Sequence, residues 1–407
     1  MRACSVADLT RLADGLTQIC VDNEMLLASC GGINVHRRSL VGVILATLLV
    51  ACAESPTTSS SDGTASQRQL ASSETFEWKL VMSWPKNLPG LATSAERLAQ
   101  NIAAMSNDRL TIKVYGAGEY VPAFQVFDAV SSGTAEMGHS AAYYWRGKAP
   151  ILAVFGTVPY GMTVQETNSW LHYGGGLELW REVYAPFNLI PFPAGNSGVQ
   201  MAGWFNREIN SLADIQGLKM RIPGLGGDVF QRAGGVAVQL PGNELFTSLQ
   251  TGVIDATEWV GPYNDLAFGL HDIATYYYYP GWQEPNAVLE LMVNQSAYDS
   301  LPPDLQKIVE VAARASNQDT LDEFTARNMA SLNTMMAEHG VQLRRLPADV
   351  LSAYRTYAKE VLDELAAEDE LSARVVDSYR DFQSTVSQWH AIAEEAYFDI
   401  RRVNDES

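Results

Sequence analysis

Arg221 lies in a predicted strand, where its charged side chain requires an anionic partner. Arg221 lies in the segment Lys219-Met220-Arg221-Ile222-Pro223-Gly224, which reads as a strand that must end at its proline. A guanidinium presents a planar fork that matches a carboxylate at two points, and a buried cation without a partner is strongly destabilising. Arg221 therefore requires an anionic partner, and a bound organic acid is one candidate. The alternative is an internal salt bridge to an Asp or Glu side chain.

Three further stretches have an unusual composition for a sheet protein. They are Gly195-Asn196-Ser197-Gly198-Val199-Gln200, Asp255-Ala256-Thr257-Glu258-Trp259-Val260-Gly261-Pro262 and Gly281-Trp282-Gln283-Glu284-Pro285. Ligands of α/β proteins commonly lie in a crevice beyond the carboxyl ends of strands. We expect all these stretches to face one crevice between two lobes. Asn196, Tyr144 and Trp145 are candidates for lining it, and the alternative for each of them is ordinary packing.

Alternating strands and helices must position these residues. Residues 76–82 and 110–115 alternate like strands, and residues 91–105 between them have helical spacing. Further helices are predicted at 124–131, 164–183 with a break at the three glycines, 230–233, 244–250 and 305–338. This βαβ rhythm predicts an α/β fold with parallel or mixed sheets.

The last part of the chain reads as almost wholly helical. Residues 348–402 follow this pattern, and the 31 residues from Ser372 to Arg402 contain no Gly or Pro. A helix of that length would span about 45 Å, which is longer than one lobe requires. We expect it to brace both lobes. The alternative is a helix that reaches a second protomer and forms a homodimer.

The composition indicates how large a core the chain can bury and disfavours two classes of binding partner. With 407 residues, 47% apolar and 18% charged, the chain can bury a large core divided between two lobes. The 28 Lys and Arg against 47 Asp and Glu give a net charge of −19. This charge disfavours binding to nucleic acid or to an anionic membrane surface. An anionic ligand must therefore be held by local chemistry.

The N-terminal part is predicted to be a leader followed by a tether. An uncharged apolar run from Leu40 to Ala51 follows Arg37-Arg38 and is too short to span a membrane. It ends in Leu49-Val50-Ala51-Cys52, which resembles a lipobox and implies cleavage before Cys52 and lipidation of that residue. Without a lipobox, Cys52 would be a cysteine beside a secretion signal. Because acids precede the basic pair, we expect translation to start downstream of Met1.

Several catalytic signatures are missing from the sequence. There is no GxSxG, HExxH, Walker or GxGxxG motif. The six histidines lie far apart and show no metal-ligand spacing. Both observations disfavour a hydrolase, an NTPase or a dehydrogenase.

Two segments carry a resemblance to a known family. Residues 212–221, Leu-Ala-Asp-Ile-Gln-Gly-Leu-Lys-Met-Arg, and residues 252–259, Gly-Val-Ile-Asp-Ala-Thr-Glu-Trp, resemble motifs of TRAP-transporter periplasmic solute-binding proteins. The resemblance extends from about Phe76 to Arg402. It implies a two-lobed periplasmic-binding-protein-like α/β fold with mixed sheets, a hinge cleft and a long C-terminal helix. It also implies a strand arginine that holds the ligand carboxylate, here Arg221, and delivery of the solute to a TRAP membrane permease.

The Glu258-Trp259 pair and residues 281–285 resemble the branch of this family that binds 2-oxo acids through a cation. The resemblance implies a cation held by Gln200, Glu258, the Trp259 carbonyl and Glu284, with Gln200 and Glu284 also touching the ligand. Such oxygen donors suit Ca²⁺ or Na⁺, and the charge of the glutamates favours Ca²⁺. Alternatives are a receptor for lactate or another monocarboxylate, and a secreted metal-dependent enzyme acting on oxo acids.

The predicted organisation of the chain has five parts. They are a leader at 1–51, a lipidated cysteine and flexible tether at 52–74, a first lobe at 75–170 plus 260–283, a second lobe at 171–259 plus 284–345, and C-terminal helices at 346–407. The resemblance places the mature protein in the periplasm as a membrane-tethered lipoprotein.

Overall fold

Two β-sheets organise the residues that the computed structural model describes, 74–402. The strands are β1 Phe76–Met82, β2 Leu110–Tyr115, β3 Met137–Ser140, β4 Leu189–Asn196, β5 Gly203–Phe205, β6 Lys219–Arg221, β7 Val236–Val238, β8 Ala256–Thr257, β9 Tyr276–Tyr279, β10 Val288–Asn294 and β11 Gln342–Arg345. The first sheet has the order β2-β1-β3-β10-β4, and the second has the order β11-β9-β5-β8-β6-β7. The predicted leader, Cys52 and the tether as far as residue 73 lie outside the described residues.

Helices cover both sheets. They are α1 Leu91–Ser106, α2 Val126–Ser131, α3 Leu152–Gly156, α4 Val164–Tyr173, α5 Gly176–Tyr184, α6 Gly224–Arg232, α7 Gly242–Gln250, α8 Pro262–Phe268, α9 Gln295–Ser300, α10 Pro303–Glu338, α11 Ala348–Ala366, α12 Glu370–His390 and α13 Ala396–Arg402. Short 3₁₀ turns occupy Ala123–Gln125, Ala142–Trp145, Ala185–Phe187, Leu212–Ile215 and Leu270–Asp272, and a π-helical segment spans Ala391–Glu395. Within residues 74–402, no helix combines the length and apolar character needed to cross a bilayer.

The first sheet is mixed. β1 pairs in parallel with β2 and with β3, while β10 pairs antiparallel with β3 and with β4. All seven residues of β10 are buried. Continuous burial is typical of a central strand whose two faces are both covered.

The second sheet brings two functional segments side by side. β6 pairs in parallel with β7 and β8, and its register places Arg221 opposite Thr257. β5 runs antiparallel between β8 and β9, and β11 adds to β9 in parallel. Arg221 therefore lies beside the residue that precedes Glu258.

Three segments cross between the sheets. Residues 197–202 lead from β4 to β5, residues 280–287 lead from β9 to β10, and α10 lies between β10 and β11. We call the first two the hinge crossings, and we call each sheet with its helices the first and the second lobe. Short paired crossings of this kind allow hinge closure.

The boundaries between the two lobes, as defined by the two sheets, differ from the predicted ranges. β4 and β10, which the sequence assigned to the second lobe, pair in the first sheet. β9, which it assigned to the first lobe, pairs in the second sheet. The reason is that β4 and β10 pair with each other along their length, from Val288↔Asn196 to Asn294↔Leu189. Periodicity predicts a strand but does not identify its partner.

The C-terminal helices contact elements of both lobes. α11 packs against α6, where Arg232 forms ion pairs with Glu360 and Glu364. α12 packs against α4 and α5, where the Tyr379 hydroxyl accepts a hydrogen bond from the Met162 amide at 2.7 Å. The helix predicted at 372–402 is confirmed as a continuous helical run from Glu370 to Arg402, in which a π-helical segment at 391–395 joins α12 to α13.

Candidate ligand and cation site

The two hinge crossings run side by side. The Gln200 amide donates to the carbonyl oxygen of Glu284 at 3.1 Å, and the Ser197 amide donates to that of Ala287 at 3.2 Å. A Cβ at Gly281 would collide with the backbone carbonyl of Gln200, so this approach requires glycine. Residues from two distant stretches of sequence are therefore held together at the hinge.

Arg221 lies at the end of β6 with its side chain 1% exposed. Its Nη1 donates to Oε1 of Glu258, its Nη2 donates to the Tyr144 hydroxyl at 2.9 Å, and its Nε donates to the Leu240 carbonyl at 3.1 Å. The guanidinium carbon also lies 5.3 Å from the ring centre of Trp259, within range of a cation–π contact. The internal salt bridge that the sequence left open is thus present, and its acid is Glu258.

Glu258 is positioned by the same pair of strands. Its amide donates to the Arg221 carbonyl at 3.2 Å, just beyond the end of β8. Burial raises the pKa of Glu258 to about 7, although the charge of Arg221 opposes that rise. Burial also opposes the charge of Arg221, but Tyr144 and Glu258 keep its pKa above the ordinary value. The arginine therefore remains charged.

Three side-chain oxygens of the hinge crossings are buried without a hydrogen-bond partner among the described residues. They are Oε1 of Gln200, Oε1 of Gln283 and Oε2 of Glu284. Burial, followed by the charge of Glu258, raises the pKa of Glu284 well above its ordinary value. Buried polar atoms are rarely left unpaired, because each one loses its interaction with water. These oxygens have lone pairs that are available to a group from outside the protein chain.

Trp259 lies between the arginine and a buried carboxylate. Its Nε1 donates to Oδ1 of Asn264, and its indole packs against Trp84 with ring centres 6.4 Å apart. The next two backbone amides, those of Val260 and Gly261, donate to Oδ1 of Asp265 at 3.2 and 3.1 Å. The loop that carries the Trp259 carbonyl is thereby held in place.

Asp265 was missed by the sequence reasoning. Besides the two amides, it accepts hydrogen bonds from Nε1 of Trp204 at 2.9 Å and from the Tyr277 hydroxyl at 2.7 Å. Burial raises its pKa to about 6 even though these donors oppose the rise. The only signal in the sequence was a carboxylate seven residues after Glu258 in a helix that begins with Gly-Pro. Two of its donors lie on β5 and β9, whose pairing could not be predicted from the sequence.

The other predicted pocket residues differ in how they are placed. Tyr144 reaches Arg221, as described, whereas Trp145 donates from Nε1 to Oε1 of Glu290 at 2.6 Å. Asn196 uses its amide internally, donating to Oδ1 of Asn286 at 3.1 Å and accepting from the Gly198 amide at 2.9 Å. Tyr144 is therefore brought to the arginine, and Asn196 and Trp145 have partners elsewhere in the first lobe and hinge.

Tyr143 was not singled out beside Tyr144. Burial and then the charge of Glu284 raise its pKa well above the ordinary value. Its ring also lies against Gly224, where an added Cβ would be 3.1 Å from the tyrosine Cβ. The aromatic run 143–145 was visible in the sequence, but which of the three rings would face the glutamates depends on the 3₁₀ turn.

The space between these groups is small. A cavity of about 10 Å³, roughly what one water molecule requires, is lined by Trp84, Leu91, Tyr143, Tyr144, Ser197, Gln200, Trp259, Val260, Ala287 and Leu289. A second cavity of about 480 Å³ borders Tyr144 and is lined by residues of both lobes, including Arg146, Pro223 and Asp228. The lobes are thus closed over the inner site, and the outer cavity borders it at Tyr144.

The donor set fits a hard cation. Glu258 and Glu284 supply carboxylate oxygens, Gln200 supplies an amide oxygen with no partner, and no sulfur or imidazole ligand is among the predicted cation ligands. All-oxygen sets favour Na⁺, Ca²⁺ or Mg²⁺ over zinc or copper. With one arginine against two glutamates, ionisation of both carboxyl groups leaves an excess negative charge, which a bound cation would neutralise.

Two lobes that are joined by paired hinge crossings around a charged cleft are typical of solute-binding proteins. This chain belongs to the bacterial extracellular solute-binding proteins, family 7, whose family model matches residues 81–369. The predicted TRAP-type resemblance and the two-lobed α/β fold with mixed sheets are therefore confirmed. Proteins of this family are solute-binding receptors of the periplasm.

Relatives support this assignment across most of the chain. A monocarboxylate 2-oxoacid-binding periplasmic protein of Nostoc sp. is 40% identical over 351 residues, which are 86% of this chain and 93% of the relative. A TRAP periplasmic solute-binding protein of Pseudoalteromonas atlantica, solved with bound sodium and pyruvate, is 43% identical with a TM-score of 0.78. The match covers 80% of this chain and 99% of that chain.

A second solved structure carries a different ion. The TRAP periplasmic solute-binding protein of Colwellia psychrerythraea, solved with bound calcium and pyruvate, is 42% identical with a TM-score of 0.78. The match again covers 80% of this chain and 99% of the other. The same fold thus accommodates either ion in proteins similar to this one.

Proposed function

We propose that this protein captures a 2-oxo acid of the size of pyruvate between its lobes, through a cation and Arg221, and delivers it to a TRAP membrane permease. One observation carries the proposal: Gln200 and Glu284 each have a buried side-chain oxygen without a partner among the described residues, and Glu284 lies close enough to the Arg221–Glu258 ion pair for both charges to affect its pKa. The pyruvate-bound relatives support the ligand class.

The proposed cation ligands are Gln200, Glu258, the carbonyl of Trp259 and Glu284. A 2-oxo acid completes such a site well, because one carboxylate oxygen and the keto oxygen form a five-membered chelate with the ion. The cation also explains how two glutamates tolerate an anionic ligand, since it separates like charges in a medium of low dielectric constant.

Arg221 has a double role in this proposal. In the closed structure it pairs with Glu258, and both side chains are 1% exposed. When cation and acid enter, Glu258 is drawn to the cation and the guanidinium turns its fork to the ligand carboxylate. Asn196, Tyr144, Gln200 and Glu284 are proposed to contribute to the ligand pocket, with Tyr144 acting through its hydroxyl.

The balance of charge favours one of the two ions. Arg221 offsets one of the two glutamates, so the addition of a monoanionic acid leaves two negative charges. A divalent ion neutralises them and a monovalent ion does not, which favours Ca²⁺ over Na⁺ in this chain.

The test is calorimetric titration of the purified protein with pyruvate, longer 2-oxo acids, lactate and succinate, each with Ca²⁺, with Na⁺ and with a chelator. We expect the tightest binding for a 2-oxo acid with Ca²⁺ and loss of binding with the chelator. Preference for lactate would support a receptor for hydroxy acids. Chemical conversion of any ligand would overturn the proposal in favour of a metal-dependent enzyme.

We also propose that Cys52 is lipidated and tethers the protein to the membrane. Support comes from the segment Leu49-Val50-Ala51-Cys52 and the apolar run before it. Detergent phase partitioning of the protein expressed in a bacterium tests this. The natural chain should enter the detergent phase and Cys52→Ser should stay in the aqueous phase, and equal partitioning would contradict lipidation.

A homodimer through the C-terminal helices is a further part of the proposal. Trp389, Ile392 and Ile400 are 61%, 72% and 65% exposed on the last helical segments. Large exposed apolar side chains in a continuous run mark association surfaces. Light scattering after size exclusion should show a dimer for the natural chain and a monomer for Trp389→Lys with Ile392→Lys, and a monomeric natural chain would contradict it.

A further inference from the structure

A second group of metal-binding side chains lies away from the cleft. His271 and Asp272 belong to the 3₁₀ turn after α8, and His339 follows the last residue of α10. One potential ligand atom from each of the three lies within 4.8 Å of the others. The rings of His271 and His339 are 4.1 Å apart between centres and inclined by 62°.

The separation of two of these atoms matches a metal site. Nε2 of His271 and Oδ1 of Asp272 are 3.4 Å apart. Two ligands at about 2.0–2.1 Å from a tetrahedral zinc are separated by about 3.3 Å. His339 is exposed, so its imidazole can rotate into place as the third ligand, and solvent can supply the fourth.

His271 is an unusual surface histidine. Its side chain is only 6% exposed, and its Nδ1 is buried without a hydrogen-bond partner among the described residues. Burial, opposed by Asp272, lowers the pKa of His271.

Strand pairing holds the two ligand-bearing segments in place. The Gln342 amide donates to the Thr275 carbonyl at 2.9 Å, where the parallel pairing of β9 and β11 begins. The Asp272 amide donates to the Gly269 carbonyl at 3.1 Å, and the His339 amide donates to the Met335 carbonyl at 3.2 Å. Both backbones are thus ordered before any metal binds, which lowers the entropy cost of binding.

We propose that His271, Asp272 and His339 bind a borderline divalent ion, Zn²⁺, at a site separate from the cleft. Two imidazoles and one carboxylate select zinc or a neighbouring transition metal over Na⁺ and Ca²⁺, which prefer oxygen ligands. The site precedes β9, whereas the hinge crossing at 280–287 follows it. The metal therefore joins the turn after α8 to the end of α10 at the outer end of the second lobe.

The test is calorimetric titration of Zn²⁺ into the full-length protein in excess Ca²⁺, which keeps the cleft cation site saturated. We expect one Zn²⁺ per chain, with affinity reduced about 10-fold or more in His339→Gln. His339 is exposed, so this variant should fold normally. His172→Gln, which removes a partly exposed histidine outside the cluster, should bind Zn²⁺ like the natural chain.

Cobalt provides an independent readout. Co²⁺ bound at the cluster should show the visible absorption of a low-coordinate site, and the bands should be lost in His339→Gln and in Asp272→Asn. The inference is overturned if the natural chain binds no Zn²⁺, if His339→Gln binds it equally well, or if excess Ca²⁺ displaces it. Pyruvate binding with Ca²⁺ should be unchanged in His339→Gln, which separates this test from that of the cleft.

Discussion

Arg221 donates a hydrogen bond from Nη2 to the hydroxyl of Tyr144 at 2.9 Å, and the two residues belong to different lobes. The same guanidinium pairs through Nη1 with Glu258 of its own lobe. One side chain therefore links closure of the cleft to the charge inside it. A change in the partners of Arg221 therefore alters a contact between the two lobes.

Tyr144→Phe should weaken binding of pyruvate about 10-fold, because it removes a hydrogen bond to a charged group while keeping the ring in place. The ring contacts to Phe124 and Tyr143, at 5.1 and 4.9 Å between centres, do not depend on the hydroxyl. Calorimetry measures the change. Tyr120→Phe, an exposed tyrosine, is the control, and an equal loss in both variants would contradict the role of Tyr144.

Arg221→Ala should weaken binding of the acid by about 2–5 kcal/mol, because the ligand carboxylate loses the buried cation that it pairs with. Circular dichroism should show whether the variant remains folded. Arg232→Ala removes an arginine that pairs on the surface of the same lobe and should bind the ligand normally. Undiminished binding by Arg221→Ala would mean that another group holds the carboxylate.

Glu284→Gln should reduce Ca²⁺ affinity about 10-fold or more, since it keeps a side-chain oxygen but removes one negative charge from the ligand set. The measurement is a Ca²⁺ titration in the presence of pyruvate. Glu290→Gln changes a buried acid of β10 that contacts Trp145 and Tyr184 instead, so it is the matched control. Equal Ca²⁺ affinity in the natural chain and Glu284→Gln would exclude Glu284 as a ligand.

Glu290 should make stability depend on pH. Burial raises its pKa to about 7 from an ordinary 4.5, so between these values the folded state holds a proton that the unfolded state has lost. The contribution of this protonated carboxyl to the free energy of unfolding is fully present below pH 4.5 and is lost as the pH rises to 7. At pH 8, Glu290→Gln should therefore be more stable than the natural chain by at most about 3 kcal/mol.

Urea unfolding at pH 4.5 and pH 8 checks this prediction for Glu290. The gain should vanish at the lower pH, where the carboxyl is protonated in both states. Glu182→Gln, on the surface, should show no such gain at pH 8, because the ion pair with Arg374 lowers the pKa of Glu182 instead. A gain in Glu290→Gln of the same size at both pH values would show that packing, not ionisation, is responsible.

Arg146→Gln should speed release of the ligand. Arg146 of the first lobe donates to the Gly224 carbonyl at 2.8 Å and to Asp228 at 2.7 Å, both in the second lobe. The two side chains are 33% and 30% exposed, so the loss is limited to about 1 kcal/mol. Stopped-flow kinetics should show a dissociation rate raised about 5-fold, whereas Lys148→Gln should leave it unchanged.

Much of the secondary structure could be predicted because it depends on local spacing. The helix at 91–105, the strand at 110–115 and the long helix at 305–338 agree with α1, β2 and α10 to within a few residues. The membership of β4, β9 and β10 in their sheets could not be predicted, since pairing joins segments far apart in sequence. The lobe ranges differ from the sheets for this reason.

The candidate site was likewise predictable only in part: the residue types could be selected from the sequence, but their contacts could not. Arg221, Gln200, Glu258 and Glu284 were selected by residue type and by resemblance, but nothing local indicates that Arg221 and Glu258 form an ion pair. That contact arises from the parallel register of β6 and β8. Asp265 was missed because its four donors come from its own loop, β5 and β9 together.

The sequence by itself determined the class of protein and the chemical types at its cleft, because motifs and composition are local properties. Only the tertiary structure determined which charged and polar side chains contact one another. It paired Arg221 with Glu258, joined Gln200 to Glu284 at the hinge, and brought His271 beside His339 although the histidines show no metal-ligand spacing along the chain. The physical reason is that strand register and crossing segments place distant residues within a few ångströms, and these depend on the whole fold.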